Sequence, residues 1–180
     1  KTIPTEVQNK ITIQDEVFHL KDFNDLTIGE FIDLDHFFMD DYITNLPIII
    51  SILYRRKIET NDKFVLDELE GYGSWLKHRA HIFGDNVNIG DVFGLITKYL
   101  SFRQTIFSAY EGLFNSPEEE IDNEDEVETP KEDNKGSKWG WNTFIYILSG
   151  RNPLRFEEAT NMGLIQGLNI LSMKSELGLD

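Results

Sequence analysis

Two groups of side chains have the residue types needed for metal or acid–base chemistry. Asp33, Asp35 and His36 fall within four residues, and His78 and His81 stand three apart. A bound cation needs three or four convergent ligands, each held by its own hydrogen bonds. Neither group has a metal spacing such as His-Glu-x-x-His, and His19 lies apart from both. These side chains are expected in exposed or capping roles, with no metal and no cofactor. Gly71-Tyr72-Gly73 is too short for a phosphate loop and lacks the lysine. No Gly-x-Ser-x-Gly elbow occurs. Glu157 and Glu158 suit the first turn of a helix, where negative charge is favourable. The chain has no cysteine, so thiolate nucleophiles, thiolate metal sites and disulfides are excluded. No catalytic constellation emerges, and the chain reads as a non-enzyme.

What remains are residues that act by being buried. Trp139, Trp141 and Phe144, with Tyr146 close by, are of the types that dominate interface hot spots. Phe156, Leu168 and Leu171 add apolar surface further on. A block of about 42 residues is too small to bury them well alone. They dock either on the rest of the chain or on a partner, as an amphipathic helix in a groove. The six residues Trp139, Trp141, Phe144, Phe156, Leu168 and Leu171 form the expected partner-binding set.

The elements that would position these residues are mainly helical. Residues 1–20 alternate weakly and suggest one strand or a short hairpin, with Ile11, Ile13 and Val17 on one face. Thr27-Ile28-Gly29-Glu30 has the form of a capping box, with Leu26 and Phe31 at the staple positions. A helix is expected from there to about Phe38. Pro47 opens a second apolar element running to Arg56, read as a helix although Ile48–Ile50 also permits a strand. Arg55, Arg56 and Lys57 are the densest basic spot. In a last helical turn they would offset the dipole, and a phosphate site is the sharper alternative. Lys63 to Phe83 suggests a third helix, weakened by Gly71 and Gly73. Asn88-Ile89-Gly90-Asp91-Val92 repeats the start signal seen at Thr27. It opens the strongest helical pattern, with Val92, Ile96, Tyr99, Arg103, Ile106, Tyr110 and Leu113 at three- and four-residue steps. Trp139–Leu148, Phe156–Met162 and the Leu164, Ile165, Leu168, Leu171 stripe are further helix candidates, with Gly150 and Pro153 as stops.

Charge divides the chain. Residues Glu118 to Glu128 contain eight carboxylates and no base. The predicted organisation is a mainly helical domain over 1–116, an acidic linker over 117–138, and a helical C-terminal block over 139–180. Such a linker would span roughly 25 Å as a flexible coil. The net charge is −15, so direct binding of nucleic acid is not expected, because phosphate neutralisation needs clustered Lys and Arg. No apolar run reaches the ~18 residues that span a bilayer. The longest, Leu46 to Tyr54, is broken by Pro47 and Ser51.

Two stretches of the chain carry a resemblance. Trp141 to Gly150, Asn152 to Glu158 and Leu168 to Lys174 resemble the C-terminal parts of tail assembly chaperones of tailed bacteriophages. Leu26 to Leu34, followed by Ile52 to Arg56, looks like the N-terminal helical region of phage structural proteins. The resemblance implies a non-enzymatic virion structural or assembly protein. Its partners would be other phage structural proteins, in homo- or hetero-oligomers. Its location would be the virion or the host cytoplasm. The alternative reading is an acidic inhibitor or DNA mimic that binds a host factor.

Overall fold

The computed structural model describes residues 7–58, 69–71, 73, 76–87, 89–114 and 140–179. The acidic linker expected over 117–138, and Trp139, lie outside the described residues.

The chain opens with a hairpin. Strand β1 (Lys10–Ile13) pairs antiparallel with β2 (Glu16–Leu20). The two-residue loop Gln14-Asp15 has φ of 51° and 65°. Positive φ at both central positions is the hairpin turn whose twist matches that of the strands. This turn sets Ile11 opposite Phe18 and Ile13 opposite Glu16. Phe18 and Ile13 therefore face the core, while Val17 pairs with Thr12 on the outer face. Alternation alone had grouped Val17 with Ile13; the turn length reverses it, because a register step of one residue changes the face.

A short 3₁₀ turn (Phe23–Asp25) leads into α1 (Ile28–Asp41). The capping box forms as the residues require. The Glu30 amide donates to Thr27 Oγ1 at 3.2 Å, and the Thr27 amide donates to Glu30 Oε2 at 2.8 Å. Both staple residues, Leu26 and Phe31, are fully buried.

Helix α2 (Leu46–Leu53) has Pro47 in its first turn, where the missing amide costs nothing. It stops earlier than its sequence suggests. Tyr54 and Arg55 form β3, which pairs antiparallel with β2 through His19–Arg55 and Leu20–Tyr54. The sheet order is β1-β2-β3. Arg55–Lys57 thus do not occupy a last helical turn, because edge pairing to the hairpin captures the chain there. Of the third expected helix, residues 63–68, 72, 74 and 75 lie outside the described residues, and Leu69 and Glu70 are not helical. Leu69 bridges Lys57, and the Glu70 amide donates to Arg56 O at 2.9 Å, so this part is extended. Helix α3 (Leu76–Asn86) begins after it and packs on α2, with Gly84 against Pro47.

Helix α4 (Ile89–Ala109) has 21 residues, about 31 Å at 1.5 Å per residue. A separate turn, α5 (Glu111–Phe114), follows a break at Tyr110. Helix α4 runs antiparallel to α1: Phe31 meets Phe107, Asp35 meets Arg103, and Phe38 meets Tyr99. Phe38 and Tyr99 stack at 4.6 Å with 15° between planes.

The C-terminal residues form α6 (Gly140–Leu148), α7 (Phe156–Thr160) and α8 (Leu164–Leu177). Gly150 ends the first with φ of 68°, a conformation glycine adopts without strain. These helices share one core with the rest of the chain. Leu164, Leu168 and Leu171 are buried with Ile28, Phe31 and Leu34. The backbone stitches the two parts together. The Ile28 amide donates to Met162 O at 2.9 Å, and the Leu164 amide donates to Leu26 O at 2.8 Å. The described residues are thus mainly α with a small antiparallel sheet. Among them, no helix is long and apolar enough to cross a membrane.

Candidate functional site

The expected partner-binding residues meet different fates. Trp141 sits at a crossroads of rings, 5.5 Å from each of Phe31, Phe114 and Phe144. Phe144 also meets Phe114 at 5.7 Å. Both are half-buried against the chain's own core. Leu168 and Leu171 are 0% and 4% exposed, so they have no surface left for a partner. The reason is geometric: Gly167 lets α8 approach α1 until a Cβ there would overlap Ile28 Cδ1. Of the described members of the set, only Phe156 keeps substantial exposure, with Tyr146 at 6.5 Å.

The acidic and basic candidates are placed differently from one another. Asp35 accepts from Arg103 Nε at 2.5 Å. His81 is exposed beside Asp85, 3.6 Å away. The basic spot resolves into structural pairs. Glu30 lies beneath it, with Oε1 2.5 Å from Arg55 Nη2 and Oε2 2.8 Å from Lys21 Nζ. Glu30 and Arg55 are both buried. Burial acts to raise the Glu30 pKa, but the Arg55 guanidinium, Lys21 and the Thr27 amide outweigh it and hold the carboxyl below its usual range. Arg56 Nη2 lies 2.6 Å from Glu16 Oε2 across the sheet. Arg79, fully buried, donates to Glu70 Oε1 at 2.8 Å and to Ser51 O at 3.1 Å. Arg55 thus ties β3 to α1, Arg56 ties the chain after β3 to β2, and Arg79 ties α3 to α2.

The surface best suited to another molecule lies elsewhere, between α1 and α4. A groove of about 290 Å³ is lined by Phe38, Tyr42, Phe93, Ile96, Thr97 and Leu100. Phe38 and Ile96 are buried and form its floor. Phe93, Thr97 and Leu100 recur at i, i+4 and i+7 and form one wall, with Tyr42 opposite. Tyr42 and Phe93 are each 41% exposed and Leu100 46%; near Tyr42 in sequence, Met39 in the last turn of α1 and Ile43 just past its end are also exposed. Single exposed apolar residues are ordinary on a protein surface, but Tyr42, Phe93 and Leu100 meet at one concavity, the kind of patch that marks binding sites. The sequence held part of this signal: the apolar stripe of α4 is wider than one core face needs. It did not show that the end of α1 would leave Met39 and Ile43 uncovered.

A second depression on the far side of Phe93 and Thr97 is larger, about 710 Å³, and mixed in character. Its two lysines are engaged, Lys21 with Glu30 and Lys98 over the Phe23 ring at 5.5 Å.

No protein-family model, curated protein or solved structure matches this sequence.

Proposed function

We propose that this chain is a non-enzymatic structural or assembly protein of a tailed bacteriophage that works by binding another protein subunit. The observation that carries the binding role is the α1–α4 groove, lined by the exposed apolar side chains of Tyr42, Phe93 and Leu100. The phage setting rests on the resemblance of Trp141–Gly150, Asn152–Glu158 and Leu168–Lys174 to tail assembly chaperones. The groove is preferred to the C-terminal block as the binding surface because Leu168 and Leu171 are used in the core, although Phe156 remains exposed. Trp141 and Phe144 instead brace the helices that carry the groove.

The test is co-purification of the full chain with virion subunits from phage-producing cells. Phe93→Glu with Leu100→Glu should abolish it while the melting temperature stays within a few degrees. Retained co-purification would remove the groove from the function. Neutralising Glu118–Glu128 to glutamine tests the acidic-mimic alternative. A mimic would lose its host partner steeply, and binding would depend strongly on salt.

A further inference from the structure

We propose that the α1–α4 groove takes an amphipathic helix of another protein, one with an aliphatic or aromatic stripe and Lys or Arg at the end nearest Asp40 and Asp41. This rests on the subunit-binding reading and names the partner's chemistry.

The apolar part follows from the lining. Every groove residue presents carbon to the cavity except for the hydroxyls of Tyr42 and Thr97. A volume of about 290 Å³ is at the small end for a drug-sized ligand and suits a few protruding side chains. The wall Phe93–Thr97–Leu100 extends two helical turns, about 10 Å. Helices laid in grooves present anchors at i, i+3 or i+4, and i+7, which span that same length.

The charged part follows from α1. This helix contains Glu30, Asp33, Asp35, Asp40 and Asp41 and no Lys or Arg. Glu30 and Asp35 have cations of their own. Asp40 and Asp41 do not: Asp40 accepts from Asn45 Nδ2, and Asp41 from Thr44 and the Ile43 amide, all neutral donors. Among the described residues no cation pairs with either. Both sit in the last turn, where the helix dipole is already negative and cations are favoured. Asp41 directly precedes the groove residue Tyr42, so the α1 side of the groove adjoins two carboxylates with no cationic partner among the described residues. A partner helix whose first turn bears Lys or Arg supplies the missing charge, and its own positive N-terminal dipole adds to it. A second copy of this chain is the wrong occupant. It would bring a net charge of −15 and the same two aspartates to the contact.

The probe is a pair of fluorescein-labelled helical peptides, roughly four turns long, with one leucine stripe and either Lys or Glu in the terminal turns. Anisotropy against the full chain is read at low and physiological salt. The Lys peptide should bind at least ~10-fold more tightly than the Glu peptide, and the preference should shrink with salt. Asp40→Asn with Asp41→Asn should remove most of that preference, and these changes keep the side-chain acceptors. Leu100→Glu should weaken both peptides by more than ~10-fold, with Phe93→Ser as a second groove variant if the first unfolds. Equal binding of both peptides overturns the charge assignment and leaves the subunit-binding reading intact. No binding of either peptide overturns the proposal. So does self-association of the chain that Leu100→Glu abolishes, which would make a second copy the occupant.

Discussion

Glu30 Oε1 lies 2.5 Å from Arg55 Nη2, and both side chains are buried. This pair ties the first turn of α1 to the strand that closes the sheet. Glu30 also receives the Thr27 amide and Lys21, so one carboxylate serves as helix cap and ion-pair centre. Glu30→Gln should cost about 3–5 kcal/mol, because Arg55 is left as an uncompensated buried charge. Replacing both with apolar residues of similar volume should recover most of that loss. Denaturant unfolding of the two single variants and the double variant measures it.

The same carboxylate sets an acid limit. Its folded pKa is below the ordinary value of 4.5. Its contribution is therefore fully present above that value and is lost as pH falls through the lower folded pKa. Thermal melts from pH 6 downward should show stability falling below about pH 4 more steeply in the wild type than in Glu30→Gln. Equal slopes would mean that Glu30 is not the group responsible.

Tyr99 gives a prediction of opposite sign. Its ring stacks on Phe38 in the floor region of the groove, and its buried hydroxyl has no hydrogen-bond partner among the described residues. Burial and the nearby Asp35 push its ionisation well above the ordinary range. Tyr54 is pushed up to about 12 by burial. Tyr99→Phe should be neutral or stabilising by up to about 1 kcal/mol, since only an unpaired hydroxyl is removed. A measured loss above that would show a bond that Tyr99 makes in solution.

Gly167 and Ile28 determine how closely α8 packs on α1. Gly167→Ala should destabilise by about 1–3 kcal/mol, because the added methyl must displace Ile28 in a packed core. Deleting residues 138–180 should do more than remove a peripheral block. It uncovers Ile28, Phe31 and Leu26 and removes both backbone bonds to Met162 and Leu164. The truncated chain should lose cooperative melting. A sharp transition near that of the full chain would contradict the shared core.

The helical elements were legible where local rules act alone. The capping box at Thr27–Glu30, Pro47 in a first turn, the long α4 stripe and the stop at Gly150 each depend on residues within one or two turns. The face of Val17 is set by the local Gln14-Asp15 turn, but the other differences involve partners distant in sequence. Arg55 looks helical by its neighbours but pairs with His19, thirty-six positions earlier. Leu69 looks helical until Lys57 bridges it. Leu168 and Leu171 carry the same apolar pattern whether they face a partner or Ile28. Only the close approach at Gly167 decides between them. The groove escaped notice for the same reason, since it is made by two helices whose separation no local pattern records.

The central claim is that this chain holds another protein in the α1–α4 groove. Site-specific photocrosslinking tests it most directly. A benzophenone side chain is placed at Leu100, on the groove wall, or at the exposed Glu176 of α8 as control, and activated in phage-producing cells. One discrete adduct is expected at Leu100, identified by mass spectrometry as a virion subunit with a basic amphipathic helix at the crosslinked site, and none at Glu176. Equal labelling at both positions, or an adduct only with a nucleic-acid-binding host protein, would contradict it.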